Sequence, residues 1–137
     1  MNPFTKAVPK VKKKKVKQIT KKYLWTSYVS PFIRKRDCNP TAKCISCDKT
    51  ITYATSDAGH FVPKSAGKFF YWNEDNIHAQ CPDCNRFGSH DSGAIYYQNL
   101  CEKIGKDKTD YFLEIRHKGI TDNRTLNEIR DYYKSLN

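Results

Sequence analysis

The chain has 137 residues with 25 Lys/Arg against 14 Asp/Glu, a formal charge of +11, which allows one domain with a modest core and points to an anionic partner. It holds no apolar run long enough to cross a bilayer and no internal repeat, so membrane-spanning and solenoid architectures are excluded. The charge is uneven: residues 1–36 carry twelve Lys/Arg and no acid, and the thirteen basic and fourteen acidic residues that follow nearly cancel.

Residues 1–22 form a basic arm in which Lys12, Lys13, Lys14 and Lys15 run unbroken, followed by Lys17, Lys21 and Lys22. Such a segment cannot bury apolar surface and is expected to be disordered alone. Polyanions are its natural partner, because lysines release counterions from nucleic-acid phosphates without reading sequence. No lipidation motif or apolar face supports a membrane surface as the partner; a targeting tag and plain solubility are the other readings. Residues 23–137 are expected to form one domain. Its first part, residues 23–36, has enough apolar side chains (Leu24, Trp25, Tyr28, Val29, Phe32, Ile33) to dock on a core, and Pro31 is expected to interrupt any single long helix there.

Two Cys-x-x-Cys knuckles follow, Cys44/Cys47 and Cys81/Cys84, separated by 33 residues. Each knuckle lets two thiolates reach one ion without straining the backbone, so the four predict a closed tetrahedral structural Zn²⁺ site. Disulfides would require an oxidising compartment, and the Lys-rich start has no secretory apolar region; a cytoplasmic location is expected, in the host if the chain is phage-encoded. Cys101 reads as a small buried hydrophobe, and Cys38 receives no role.

Residues 43–91 are rich in turn formers and short β-prone runs. Strands are expected at residues 50–55 and 60–62, with a turn at residues 72–76 before Ile77. Phe69, Phe70, Tyr71 and Trp72 read as core and hairpin packing rather than as base-stacking platforms. A helix is expected after Cys84. Helical patterns follow at residues 94–104, 109–117 and 126–136, the last opened by Thr125 and Glu128 at capping-box spacing. In that last helix Leu126, Ile129, Tyr133 and Leu136 share one face, a core stripe that would also suit a homodimer contact.

Between the knuckles stand Asp57-Ala58-Gly59-His60, then Asn76-Ile77-His78-Ala79-Gln80-Cys81, then Cys84-Asn85. This combination resembles the His-Asn-His (ββα-metal) nuclease superfamily and, more closely, phage recombination proteins of the NinG/Rap type, over nearly all of residues 36–104. The resemblance implies an α+β fold: a ββα-metal finger (about residues 43–91) nested in a four-cysteine zinc site, with C-terminal helices (residues 92–137) and a disordered basic N-terminal arm. It also implies a Mg²⁺- or Mn²⁺-dependent DNA endonuclease acting on branched or Holliday-junction recombination intermediates.

Phosphodiester hydrolysis needs a base for water and a divalent ion at the scissile phosphate, and a neutral imidazole suits the first task. His60 is the expected base. The superfamily's middle Asn would be Asn76, fixing the hairpin and orienting His60 by a hydrogen bond. Asn85 would offer an amide oxygen to the ion, as relatives use an Asn directly after the last knuckle. Position 59, where relatives often carry a metal-binding Asp or His, is Gly. Asp57, on the same strand face, is the first replacement, and His90 the second. His78 reads as structural or as a phosphate contact. Besides the arm lysines, Arg34, Arg36, Lys64 and Arg86 are expected to contact DNA phosphates. Two other readings remain at this stage: a non-catalytic zinc-ribbon nucleic-acid-binding protein, and a sequence-specific restriction or homing-type nuclease.

Overall fold

The computed structural model describes residues 10, 18–88 and 91–136. The described chain turns helical where Thr20 accepts a hydrogen bond from the Tyr23 N–H at 3.1 Å, a side-chain N-cap. Helix α1 (Lys21–Leu24) continues through one wide π turn (Trp25–Val29) into α2 (Ser30–Asp37). Pro31 therefore does not break the helix. A proline has no N–H to donate and its ring crowds the carbonyl four residues back; a π turn at that point shifts the carbonyl aside. Lys21 and Lys22, counted with the arm from sequence, lie in this capped helix. Leu24, Val29 and Ile33 form its fully buried stripe.

Two small antiparallel sheets follow. In the first, β1 (Thr41–Lys43) pairs with β2 (Thr50–Thr52), closing the first knuckle between them. In the second, β3 (Asp57–His60) pairs with β4 (Ile77–Gln80), with Asp57 opposite Gln80 and Gly59 opposite His78. The first expected strand is thus shorter, and the second lies a few residues earlier than predicted. The aromatic run 69–72, read as hairpin packing, is instead a short helix, α3 (Lys68–Trp72), which buries Phe70 and Trp72. Its preceding Gly67 has φ +145°, and a Cβ there would stand 2.6 Å from the Ile120 carbonyl oxygen, so only glycine fits.

Helix α4 (Pro82–Arg86) starts directly on the second knuckle, with Cys81 at the cap and Pro82 in the first turn, where a missing N–H costs nothing. Helices α5 (Ser92–Ile104), α6 (Lys106–Ile115) and α7 (Leu126–Ser135) complete an α+β fold. The Thr125 cap forms as expected, accepting from the Glu128 N–H at 3.1 Å.

The core is divided into four patches. The N-terminal helix packs with Ala58, Ile77, Trp72 and, from α7, Ile129 and Tyr133. Cys38, Cys44, Ile51, Ala79 and Cys81 make a second patch. Val62, Phe70, Phe112 and Ile115 make a third, and Ile45, Tyr96 and Leu100 a fourth. The α7 stripe read as a possible dimer face is used internally: Ile129 and Tyr133 are buried, Leu126 packs beside them, and only Leu136 is exposed. Cys101 is half-buried rather than buried.

Polar anchors tie α2 to the sheets. Asp37 accepts the Ala79 N–H at 2.8 Å and pairs with Arg36 at 2.7 Å. Arg36 also donates to the Glu74 and Ile77 carbonyls at 3.1 and 2.7 Å. Burial alone would raise the Asp37 carboxyl, but Arg36 and the Ala79 N–H outweigh it and hold its pKa below the usual range.

Candidate active site beside a four-thiol cluster

The sulfurs of Cys44, Cys47, Cys81 and Cys84 all lie within 4.8 Å of one another, with Cys47 and Cys81 3.7 Å apart. A tetrahedral ion with bonds of about 2.3 Å requires sulfurs about 3.8 Å apart, so the spacing fits one ion. Backbone N–H groups already point at these sulfurs: Ser46 and Cys81 donate to Cys44 Sγ at 3.4 and 3.2 Å, and Cys84 donates to Cys81 Sγ at 3.5 Å. Burial pushes the Cys44 and Cys84 thiols up. At Cys81 the N–H of Cys84 and the neighbouring thiols overcome burial and pull the pKa down. Four thiols this close cannot all ionise unaided, and a bound divalent cation removes that conflict.

His60 ends β3, with its imidazole stacked on Trp25 at 4.8 Å between centroids and 24° between planes. Its Nε2 lies 3.0 Å from the Tyr71 carbonyl oxygen. A carbonyl can only accept, so Nε2 carries the proton and Nδ1 keeps its lone pair free. Burial, aided by the Lys64 charge and opposed by the Tyr71 carbonyl, holds the His60 pKa below its ordinary 6.5. The ring is therefore neutral near pH 7. Behind it, Tyr96 of α5 donates to the Gly59 carbonyl at 2.7 Å and fixes the strand.

Asn76 is fully buried and does not bond His60. Its side chain instead accepts from the Val62 N–H at 2.9 Å and donates to the Val62 and Phe70 carbonyls at 2.9 and 3.0 Å. The expected hydrogen bond to the base is thus replaced by a clamp on the segment that leaves β3. This holds His60 in place through the backbone rather than through its ring.

Asn85 sits on α4 facing β3, and its Nδ2 donates to Asp57 Oδ2 at 3.1 Å. Arg86 pairs with the same carboxylate at 3.2 Å. Asp57 and Asn85 are therefore in contact, and Asn85 and His60 border one cleft of about 210 Å³, together with Ser46, Gln80 and Tyr96. A larger hollow of about 340 Å³ is lined by residues that include Asp37, His78 and Glu102 and excludes His60 and Asn85.

His78 is buried, and burial lowers its pKa to about 4, so it is a neutral packing residue and not a phosphate contact. Arg34 is also committed internally, donating to the Tyr53 carbonyl at 2.5 Å with its guanidinium over the Tyr53 ring. Arg36 likewise donates to backbone carbonyls, so both arginines brace the fold internally, while Arg36 stays exposed. Lys64 stands beside the site, its Nζ 5.7 Å from the Tyr71 ring, and Lys21 lies at 5.8 Å from the same ring. Lys22 is exposed on α1. His90, Lys12, Lys13, Lys14, Lys15 and Lys17 lie outside the described residues. Sequence reasoning missed Trp25, Tyr71 and Tyr96 as supports of His60, since their contacts arise only from tertiary packing; it also missed Ser46 and Gln80.

Fold and site together define a small basic α+β protein with a four-thiol cluster, beside which an imidazole and an oriented amide share a cleft. The family model described as "Bacteriophage Lambda NinG protein" matches residues 4–136, and the chain belongs to the NinG family. It is 42% identical over 84 residues to "Protein ninG" of Escherichia phage lambda, covering 60% of this chain and 38% of that protein. With "Protein ninG" of Salmonella phage P22 it is 41% identical over 92 residues, 66% of this chain and 42% of the relative. The match thus spans about two fifths of the length of these curated relatives. No solved structure matches. Among the described residues, no helix is long and apolar enough to cross a membrane.

Proposed function

We propose that the chain is a divalent-metal-dependent DNA endonuclease of the His-Asn-His type, acting on branched recombination intermediates, with Zn²⁺ held by the four cysteines. The observation that carries this reading is the fixed tautomer of His60, a neutral imidazole with Nδ1 free, next to the oriented amide of Asn85. Nδ1 takes a proton from water as its oxygen attacks the phosphorus. The bond from phosphorus to the 3′-oxygen breaks, and solvent protonates that oxygen, leaving a 3′-hydroxyl and a 5′-phosphate. Asn85, oriented by Asp57, would hold Mg²⁺ or Mn²⁺, whose chemistry is to neutralise charge on the scissile phosphate and the leaving oxygen. Hard amide and carboxylate oxygens suit these ions, whereas the four thiolates suit zinc.

Lys21, Lys64 and Arg86 supply positive charge around the cleft. Phe87, 83% exposed and next to Arg86, offers a ring to an unstacked base, as a branch point would present. The branch preference itself rests on the family resemblance.

The test is incubation of four-way junction, splayed duplex, linear duplex and single strand, each with Mg²⁺, Mn²⁺ or chelator. Metal-dependent cleavage favouring the junction is expected, and His60→Ala should slow it by about 10²- to 10⁴-fold with junction affinity and zinc content unchanged. Binding without cleavage under every condition would leave the non-catalytic zinc-ribbon reading in its place.

A further inference from the structure

Gly59 occupies the position where a ligand side chain would point toward the ion, and the space above it is not open. A Cβ built on Gly59 would stand 1.6 Å from Gln80 Oε1 and 2.9 Å from Asn85 Oδ1. The side chain of Gln80, reaching diagonally from β4, fills the place of the missing residue, and two amide oxygens converge over the glycine.

Asn85 is held in the orientation that points oxygen at this spot, and Gln80 is tethered so that its other end reaches it. Asn85 Nδ2 faces the Asp57 carboxylate, which can only accept, so Oδ1 must face the other way. Gln80 is buried, and its Nε2 donates to Ser46 Oγ at 2.7 Å. Ser46 lies inside the first knuckle, so the four-thiol cluster fixes the amide of Gln80 through one hydrogen bond. Neither amide oxygen accepts a hydrogen bond from a described residue. Asn85 is exposed and both amides line the cleft, and amide oxygens are hard donors of the kind a divalent cation takes up.

We infer that Gln80 supplies the oxygen ligand that position 59 lacks, so that Gln80 Oε1 and Asn85 Oδ1 together face the divalent ion while Asp57 orients Asn85. This rests on the proposed reading of the cleft as a divalent-cation site. Glycine at position 59 leaves room for this: a side chain there would require Gln80 to move.

The experiment uses the full zinc-loaded chain without DNA, titrated with Mn²⁺ and read by electron paramagnetic resonance of free Mn²⁺. Gln80→Met keeps the volume and removes the oxygen; it should weaken Mn²⁺ binding on the order of tenfold or more. Gln80→Glu should strengthen it by a similar factor. Gly59→Asp alone should disturb the hairpin, whereas Gly59→Asp with Gln80→Ala should restore binding, because the carboxylate enters the space the amide leaves. Mn²⁺ affinity unchanged from wild type in both Gln80→Met and Gln80→Glu would overturn the inference, as would the absence of Mn²⁺ binding by wild type. Zinc content and circular dichroism of each variant identify any that fail to fold. A Gln80-dependent Mn²⁺ site in a protein that cleaves no DNA would leave the inference standing and remove the nuclease reading; cleavage with Mn²⁺ binding indifferent to Gln80 would do the reverse.

Discussion

At His60 the cover over the ring sets its basicity, and that cover is Trp25, stacked at 4.8 Å. Because burial is the main cause of the lowered pKa, removing the indole should raise it. In Trp25→Ala the His60 resonance in an NMR titration should move upward toward the ordinary value of 6.5. An unchanged midpoint would show that another group shields the ring. A histidine held neutral contributes stability above its unfolded pKa, and this is lost as pH falls through the lowered folded value, so unfolding at mild acid should be less sensitive to pH in the variant. The same logic of desolvation governs Asn76. Its truncation to alanine leaves the Val62 N–H and the Val62 and Phe70 carbonyls without their partner, each costing about 1–3 kcal/mol if water cannot enter. Asn76→Ala should therefore lower the denaturant midpoint strongly, a stability effect that a residue serving only to orient a catalytic ring would not produce.

Among the elements, β1, β2 and the β4–α4 junction would depend most on a metal held by the four thiols, since they meet through cysteines and a patch of only five buried residues. Zinc would contribute on the order of 10 kcal/mol of apparent binding free energy there. Chelation should accordingly unfold this half of the molecule cooperatively, seen as loss of amide exchange protection in β1, β2 and β4. Full protection after zinc removal would mean that the thiols pack as ordinary core. This part was legible from sequence because Cys-x-x-Cys spacing is local, as are the Thr125 cap and the three-four periodicity of α5 to α7. What could not be read depends on contacts distant in sequence. The run Phe69 to Trp72 has no polar interval to reveal a helix, and aromatic residues favour strands when nothing else decides. Pro31 gave the right steric objection, but the π turn that answers it leaves no sequence mark. The diagonal contact of Gln80 with Gly59 follows from the β3–β4 register, in which Gly59 faces His78 and Asp57 faces Gln80, and a one-residue slip would abolish it.

For the molecule as a whole, charge and chemistry are separated along the chain but meet in space. Residues from 37 onward are nearly neutral, so on the proposed reading long-range attraction to DNA would come from the first 36 residues. The helix that carries Lys21 and Lys22 also carries Trp25, so the segment that follows the basic arm ends against the candidate base. A truncation that tests the arm must spare this helix and its Thr20 cap. Removing residues 1–17 deletes seven lysines, Lys6, Lys10, Lys12, Lys13, Lys14, Lys15 and Lys17, and no acid. If about half of them touch phosphates, the slope of log affinity against log salt should become shallower by roughly 3. Lysine contacts to phosphate position a protein without selecting DNA shape, so binding to junction and linear duplex should weaken alike and their ratio should hold. Cleavage at low salt and saturating DNA should persist, since His60, Asn85 and the Trp25 stack remain. An unchanged salt slope would assign the lysine run to targeting or to a protein partner, and the DNA contacts would then have to come from Lys21, Lys64 and Arg86 around the cleft.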